Sequence, residues 1–371
     1  MFTFDLSSRF LDSQETTVFD EFLAVHSLDS SIWPVFETFF RATVPGTTPL
    51  VLRVHEARRL CGAAILVRCN RYGRSLFDNQ VLAGLMNTIG LPVHLWVKFG
   101  CCMDMLSNPG FVADPAQAVA VQAAMVQDLR QRCMAVVIYD YDHHANHHTG
   151  ASVLPSMPHA LIDTSGMTAI QDYLSQHKNM KRKMNIFRNN GGTFEVIRNR
   201  MDPNDLGSVR RCFVATAEQS TTYLPYQDLY LSAALKTSGT HLDNVYYFVA
   251  RLNGEFLGYQ AALTTGTCLN ALHGAFDRDR KTTYHAYDLL FVQMVEFAIA
   301  NGLKSIDFGS INNTTKQRAI NKSIAMSDFV HSKYPAGQWL VNELLRRSKV
   351  QGEDQLRYRA QTMSQSDTEV D

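Results

Sequence analysis

The heptapeptide DRDRKTT, residues 277–283, joins an apolar strand pattern, TCLNALHGAFD, to an amphipathic helix pattern that starts near Thr283. Arg278, Arg280 and Lys281 gather three cations there, and Thr282 or Thr283 can act as the N-cap. A helix start suits anions, because its unpaired amides and its dipole both point outward. The plainer alternative is a solvated turn. His273, on the strand before the loop, can titrate near neutral pH and act as a base; a lone histidine in an apolar strand can equally be a hydrogen-bonded core residue. Of the tyrosines that follow, Tyr287 belongs to the helix's apolar stripe, which leaves Tyr284 as the candidate acid.

A second concentration of chemistry runs from Asp140 through Asp142, His143, His144, His147 and His148. On a helix, the i, i+4 pairs of histidines would have the spacing of a zinc site. The segment follows a strand, however, and Asn146 and Gly150 favour a loop, with no distant Cys/His pair to complete a tetrahedron. No metal site is therefore expected. Asp140, Asp142 or His143 would instead hold an acceptor's ammonium group or take its proton, unless the loop is simply polar. Downstream, Asp307 alternates with Ile306 and Phe308 and so should face away from them.

The elements that must position these groups follow from periodicity. Apolar runs at 245–252 and 256–263 flank Asn253-Gly254, a hairpin signature. The helix carries Tyr287, Leu290, Phe291, Met294, Val295 and Ala298 at 3.6-residue spacing. Asn301-Gly302 closes it, and LKSIDFG reads as a short buried strand. The first half repeats this order weakly. LVLRVHEA and GAAILVRC form a hairpin in which Cys61-Gly62 stands where Leu257-Gly258 stands later. LPVHLWVKFG is a strand, a helix opens at Pro115 with a stripe through Val119, Ala123, Val126 and Cys133, and MAVVIYD is the next strand. Such a pattern suits a duplicated unit. Upstream, residues 14–43 have helical spacing (Val18, Phe22, Val25, Phe36, Phe39, Phe40) broken at Trp33-Pro34. The segment HKNMKRKMNIFRNN places Lys178, Lys181 and Arg182 on one helix face, and Met180, Met184 and Phe187 on another.

The ordered set His273-Gly274, Tyr284 or Tyr287, Asp307-Phe308-Gly309 and Lys316 resembles the second half of a GNAT acyltransferase. More closely it resembles the tandem-GNAT group that includes the Fem peptidyltransferases. The resemblance implies an α+β fold of two GNAT-like domains side by side, with mixed, mostly antiparallel sheets flanked by helices. The first domain, 1–165, would shape an acceptor pocket; a basic helix at 166–192 would lead into the donor domain, 193–350; and residues 351–371 would be a flexible tail. It further implies a phosphate seat at Arg278–Thr283, although the family's glycines are missing there. A backbone N–H near Gly274 would face the acyl carbonyl. Asp307, Ser310 and Lys316 would contact substrate, Lys316 through a carboxylate or phosphate. The donor would be a thioester of CoA or of an acyl carrier protein, used as a co-substrate with no tightly bound cofactor, and the acceptor a small-molecule amine. An aminoacyl-tRNA donor is the alternative, since related enzymes carry a similar basic helix. The chain shows no room for the long helical arm of tRNA users, which favours the thioester. A non-catalytic binding module is the third reading.

Composition narrows the rest. Lys plus Arg equals Asp plus Glu at 35 each, so no global charge advertises nucleic acid or membrane. Seven cysteines without a CxxC pair read as reduced thiols of a cytoplasmic protein. The N-terminus lacks a signal-peptide pattern, and no apolar run is long enough to span a bilayer. No P-loop, G-x-G-x-x-G or G-x-S-x-G occurs, which removes support for ATP, NAD and serine-hydrolase sites.

Overall fold

The computed structural model describes residues 2–25, 28–41, 47–69, 93–96, 111–132, 135–142, 152–155, 158–218, 234–277, 284–310, 314–335, 338–339 and 343. It begins with a strand, β1 (Phe2–Ser7), and three helices, α1 (Ser13–Thr17), α2 (Asp20–Val25) and α3 (Ile32–Phe40). Asp12 caps α1 through the Gln14 and Glu15 amides, and Glu15 returns a bond to the Asp12 amide at 2.9 Å. Pro34 lies inside the first turn of α3, where its missing N–H costs nothing, so it does not break the helix as expected. The buried face of this region is Phe19, Phe22 and Leu23, while Val18 and Val25 are exposed.

The first half continues through β2 (Thr47–Glu56), β3 (Arg59–Cys69), β4 (Val93–Trp96), β5 (Phe111–Ala113), α4 (Ala118–Arg132), β6 (Ala135–Asp142), β7 (Ser152–Pro155) and β8 (His159–Asp163). On α4 the buried residues are Val121, Met125, Val126 and Leu129; Val126 is buried as expected, but Val119 and Ala123 are exposed, because the i, i+4 row with the larger apolar side chains takes the core. Cys133, expected in that stripe, lies outside the described residues. Then come α5 (Ile170–Gln176), α6 (Lys178–Asn189), β9 (Gly192–Arg198), α7 (Leu206–Glu218), β10 (Val245–Leu252), β11 (Glu255–Thr265), β12 (Cys268–Phe276), α8 (Ala286–Ala300), β13 (Ser305–Ser310), α9 (Thr314–Ala319), β14 (Lys322–Ile324) and β15 (Met326–His331). Among the described residues no helix is long and apolar enough to cross a membrane.

Two sheets share one strand order. The first runs β1-β2-β3-β4-β6-β15-β7, with β5 also paired to β3; the second runs β9-β10-β11-β12-β13-β8-β14. The repeat is residue-accurate in the hairpins. Val54 opposes Gly62 and a bulge follows; Ala250 opposes Gly258 and a bulge follows. The turns match too, with positive φ at Ala57 and Arg58 in one copy and at Asn253 and Gly254 in the other. After the next strand, the Asp114 amide donates to the Cys61 carbonyl (3.0 Å), as the Asp277 amide does to Leu257 (2.7 Å). β4 and β5 together do what the single strand β12 does: β4 runs parallel to β6 as β12 does to β13, and β5 pairs beside Gly62 as the end of β12 pairs beside Gly258.

The equivalent glycines are close-packed. A Cβ on Gly258 would stand 2.3 Å from Phe276 and 2.9 Å from the Ala275 carbonyl; on Gly62 it would stand 2.4 Å from a Val121 methyl and 3.0 Å from the Met125 terminus. Gly258→Ala is expected to destabilise by about 2–3 kcal/mol and Gly62→Ala by about 1 kcal/mol, because only at Gly62 are the blocking atoms all in movable side chains. Urea midpoints of the two variants check the order.

The sheets also exchange strands. β8 leaves the first half to lie between β13 and β14, and β15 leaves the second half to lie between β6 and β7. A boundary at residue 165 therefore separates each of these strands from the sheet it completes. Buried side chains of the first sheet run on into the α7 face of the second (Met201, Val209, Tyr247, Tyr259) as one apolar cluster; the other face of the second sheet packs on α5, α6 and α8.

Candidate functional site

β12 and β13 are parallel neighbours, but their pairing stops early. Cys268, Leu269 and Asn270 oppose Ser305, Ile306 and Asp307; beyond that β12 stays with β11 to Phe276, while β13 bends toward β8 through a bulge between Asp307 and Ser310. The strands thus splay. Gly309, at φ +66°, makes the bend possible, since a left-handed conformation costs glycine little. The Asp307 carboxylate accepts the Gly309 amide at 2.8 Å, and the Lys316 ammonium donates to the Phe308 carbonyl at 2.6 Å. One lip of the opening is therefore fixed by two charged side chains.

On the α8 side, the gap is floored by a row of aromatic rings. Phe276 at the end of β12 meets Tyr287 edge-on at 4.9 Å, Tyr287 meets Phe291 at 4.9 Å, and Phe291 meets Phe308 at 4.4 Å. Ile306 and Phe308 belong to that core, so Asp307, buried with 1% exposure, faces the other way, as its alternation predicted. Tyr284 is half-buried against the same core. His285 adopts φ +54° at the mouth of α8, and burial, followed by the Lys183 charge, pulls its pKa down. Lys183 of the basic helix α6 is ion-paired with Asp288 in the first turn of α8, so α6 lies alongside the start of α8. Lys178, Lys181 and Arg182 on α6 are exposed, and Met180 and Phe187 are buried, as the spacing predicted.

His273 takes the second of its two readings, that of a hydrogen-bonded core residue. It is buried, its Nδ1 lies 2.8 Å from the Tyr259 hydroxyl, and its ring stands edge-on to that tyrosine. Burial pushes its pKa down to about 3, and burial keeps Tyr259 protonated as the natural hydrogen-bond donor. An imidazole so placed is a poor base at neutral pH; its role is in the core, against α7.

The backbone of Asp140 and Asp142 ends β6, and Asp142 lies opposite Met326. Two residues earlier, Ile324 lies opposite His159, which on its other side lies opposite Ser310. The strand crossover thus brings the end of β6 toward the end of β13. Arg278, Arg280, Lys281, Thr282, Thr283 and His143 lie outside the described residues. The helix start that follows β5 in the first half carries a carboxylate of its own. There the Asp114 carboxylate accepts the Ala116 amide (3.1 Å) at the helix start and pairs with Arg59 (2.6 Å). A carboxylate of the chain itself takes the position that suits an anion.

His159 was not singled out by the sequence, where it sits in a Pro-broken extended stretch. Alternation in HALID sends Ala160 and Ile162 into the α8 core and turns His159, also buried, to the other face of β8.

Residues 175–317 match the family described as Acetyltransferase (GNAT) domain. The chain carries a GNAT domain. The matched stretch runs from the end of α5 into α9 and includes the splayed strands, the basic loop and Lys316. Three solved structures share the wider fold. The C-terminal DUF2156 domain assigned to a lysylphosphatidylglycerol synthetase from Agrobacterium fabrum aligns with a TM-score of 0.55 at 13% identity, over 90% of this chain and 97% of that one. The L-PGS structure from Bacillus licheniformis gives 0.51 at 10% identity, over 90% and 96%. FemX gives 0.52 at 11% identity, over 88% and 96%. At these identities the likeness is one of fold. No curated protein matches the chain in sequence.

Proposed function

We propose that the protein is an N-acyltransferase that moves an acyl group from a thioester, of CoA or of an acyl carrier protein, to the amine of a small or amino-acid-like acceptor. The amine attacks the thioester carbonyl directly, with no covalent enzyme intermediate; the enzyme contributes orientation, a backbone N–H for the developing oxyanion and a base. The observation that carries this reading is the splay of β12 from β13 at Gly309, where the Lys316 ammonium is fixed on the Phe308 carbonyl. On this reading the donor binds the second half and the acceptor enters between the sheet ends, bordered by Asp140, Asp142 and Ser310.

Intact-mass screening of a thioester panel against pooled amines, scored by release of free thiol, tests the proposal. Arg280→Ser is expected to weaken binding of a CoA thioester about tenfold, with the difference shrinking at high ionic strength. Calorimetric titration at two salt concentrations measures it.

A second donor, aminoacyl-tRNA, draws support from the exposed Lys178, Lys181 and Arg182. Copurifying RNA and a steep salt dependence of tRNA affinity would favour it. Absence of turnover with every donor, with partner binding unaffected by His273→Ala and Lys316→Ala, would leave a binding module.

A further inference from the structure

His159 is completely buried, yet among the described residues neither ring nitrogen has a hydrogen-bond partner. Native proteins rarely leave a buried polar group in that state, and when they do, the group calls for a reason. The Asp307 carboxylate lies beside it, with Oδ1 3.7 Å from Nδ1, too far for a hydrogen bond but close enough to bias the orientation of the ring. Ala160 and Ile162 pack into the α8 core, so His159 projects from the opposite face of the sheet, the face to which Asp307 is also turned. Along the strand it stands opposite Ser310, one residue past the Gly309 bend, where the splay is open. The aromatic row blocks that opening from the α8 side; the other side presents His159 and Asp307.

We propose that His159 is the base of the acyl transfer, and that Asp307 is a positioning residue acting through it. This rests on the acyl-transfer reading above. The acceptor amine, entering between the sheet ends, supplies the partner that Nε2 lacks. As its nitrogen bonds to the carbonyl carbon, the C–S bond breaks and the electron pair leaves with sulfur. The proton released by nitrogen passes to His159 Nε2 and returns to the thiolate, giving amide and free thiol.

Among the described residues, the other charged groups on elements packed against β8 are Lys316 and Arg318 on α9 and Lys322 on β14, with Asp163 at the far end of β8 itself. Cys268, at the start of β12, is held as a thiol, its pKa pushed up to about 12 by burial and then by the Asp307 charge. An acidic limb of kcat that disappears with the imidazole would mark His159 as the group that takes the proton.

The test measures kcat and KM across pH for the wild type, His159→Gln and Asp307→Asn, using whichever thioester and amine the panel shows to react. His159→Gln is expected to lower kcat about 100-fold, to leave the donor KM within about twofold, and to abolish the acidic limb. Asp307→Asn keeps an oxygen for the Gly309 amide but removes the charge beside His159, so kcat should fall about tenfold while the donor KM stays within about twofold. An unchanged limb and a kcat within about threefold of wild type in His159→Gln would overturn the assignment. If that variant fails to melt cooperatively, NMR titration of the wild-type His159 ring decides: an Nε2 shift on adding the amine supports the role, and its absence refutes it. A wild type inert toward every donor would instead overturn the acyl-transfer reading, and the role of His159 with it.

Discussion

Residues 193–350 expressed alone are expected to be insoluble or to melt without cooperativity, and so are residues 1–165. Each fragment lacks a strand from the middle of its own sheet. The C-terminal fragment has no β8, so the edge of β13 is bare and β14 has nothing to pair with; the N-terminal fragment has no β15, which separates β6 from β7. Unpaired edges and an uncovered apolar face promote aggregation. Ala160 and Ile162 also leave the α8 core. Co-expression of 1–165 with 166–371 should restore a soluble pair, since every strand is then present. Gel filtration and thermal melting by circular dichroism distinguish the cases. A well-folded 193–350 fragment would mean that the exchanged strands are dispensable.

Arg53→Ala is expected to cost about 3–5 kcal/mol, the range for breaking a buried ion pair by removing one partner. Arg53 is 1% exposed. Its guanidinium binds Glu15 through Nε (2.7 Å) and a second nitrogen (3.1 Å), Ser7 Oγ (2.8 Å), and the carbonyls of Arg9 (3.1 Å) and Phe10 (3.0 Å). One side chain thus fastens the end of β1 and the start of α1 to β2, and alanine would orphan two carbonyls. Arg53→Lys should recover only part of the loss, because an ammonium cannot reproduce the planar fork. Burial alone would raise the Glu15 pKa, but the Arg53 and Asp12 hydrogen bonds and the charges of Arg53 and Arg9 together bring it below normal. Glu15 therefore contributes stability that is complete above the unfolded carboxylate value, about pH 4.3, and is lost as pH falls below it. Urea unfolding of wild type and Glu15→Gln should show a difference at neutral pH that narrows in acid.

What could be read from the chain was what is local. The Asn253-Gly254 turn, the Gly302 cap, the amphipathic split of α6 and the outward phase of Asp307 all follow from periods and turn chemistry. They appear in the structure as those rules require. The kinship of Gly62 and Gly258 was also visible, because both mark the same bulged hairpin. The strand exchange was not legible: β8 and β15 have ordinary strand patterns, and nothing in HALID or MSDFVH states which of two similar sheets will receive them. For the same reason His159 was passed over, its importance arising from Ser310 and Asp307 about 150 residues away in sequence. Which of its two readings His273 takes could not be read locally, because its partner Tyr259 lies on another strand. The Trp33-Pro34 break failed because proline is harmless in a first turn.

The exchange of β15 has a consequence for synthesis on the ribosome. Val136 of β6 pairs with His331, so it emerges nearly two hundred residues before its neighbour does. At bacterial-like elongation rates of about 5–20 residues per second, that side of the first sheet waits roughly 10–40 s for its partner. Nascent chains thus carry an unfinished first sheet through that interval, and the latest-made of the described strands is the one that completes the first-made half.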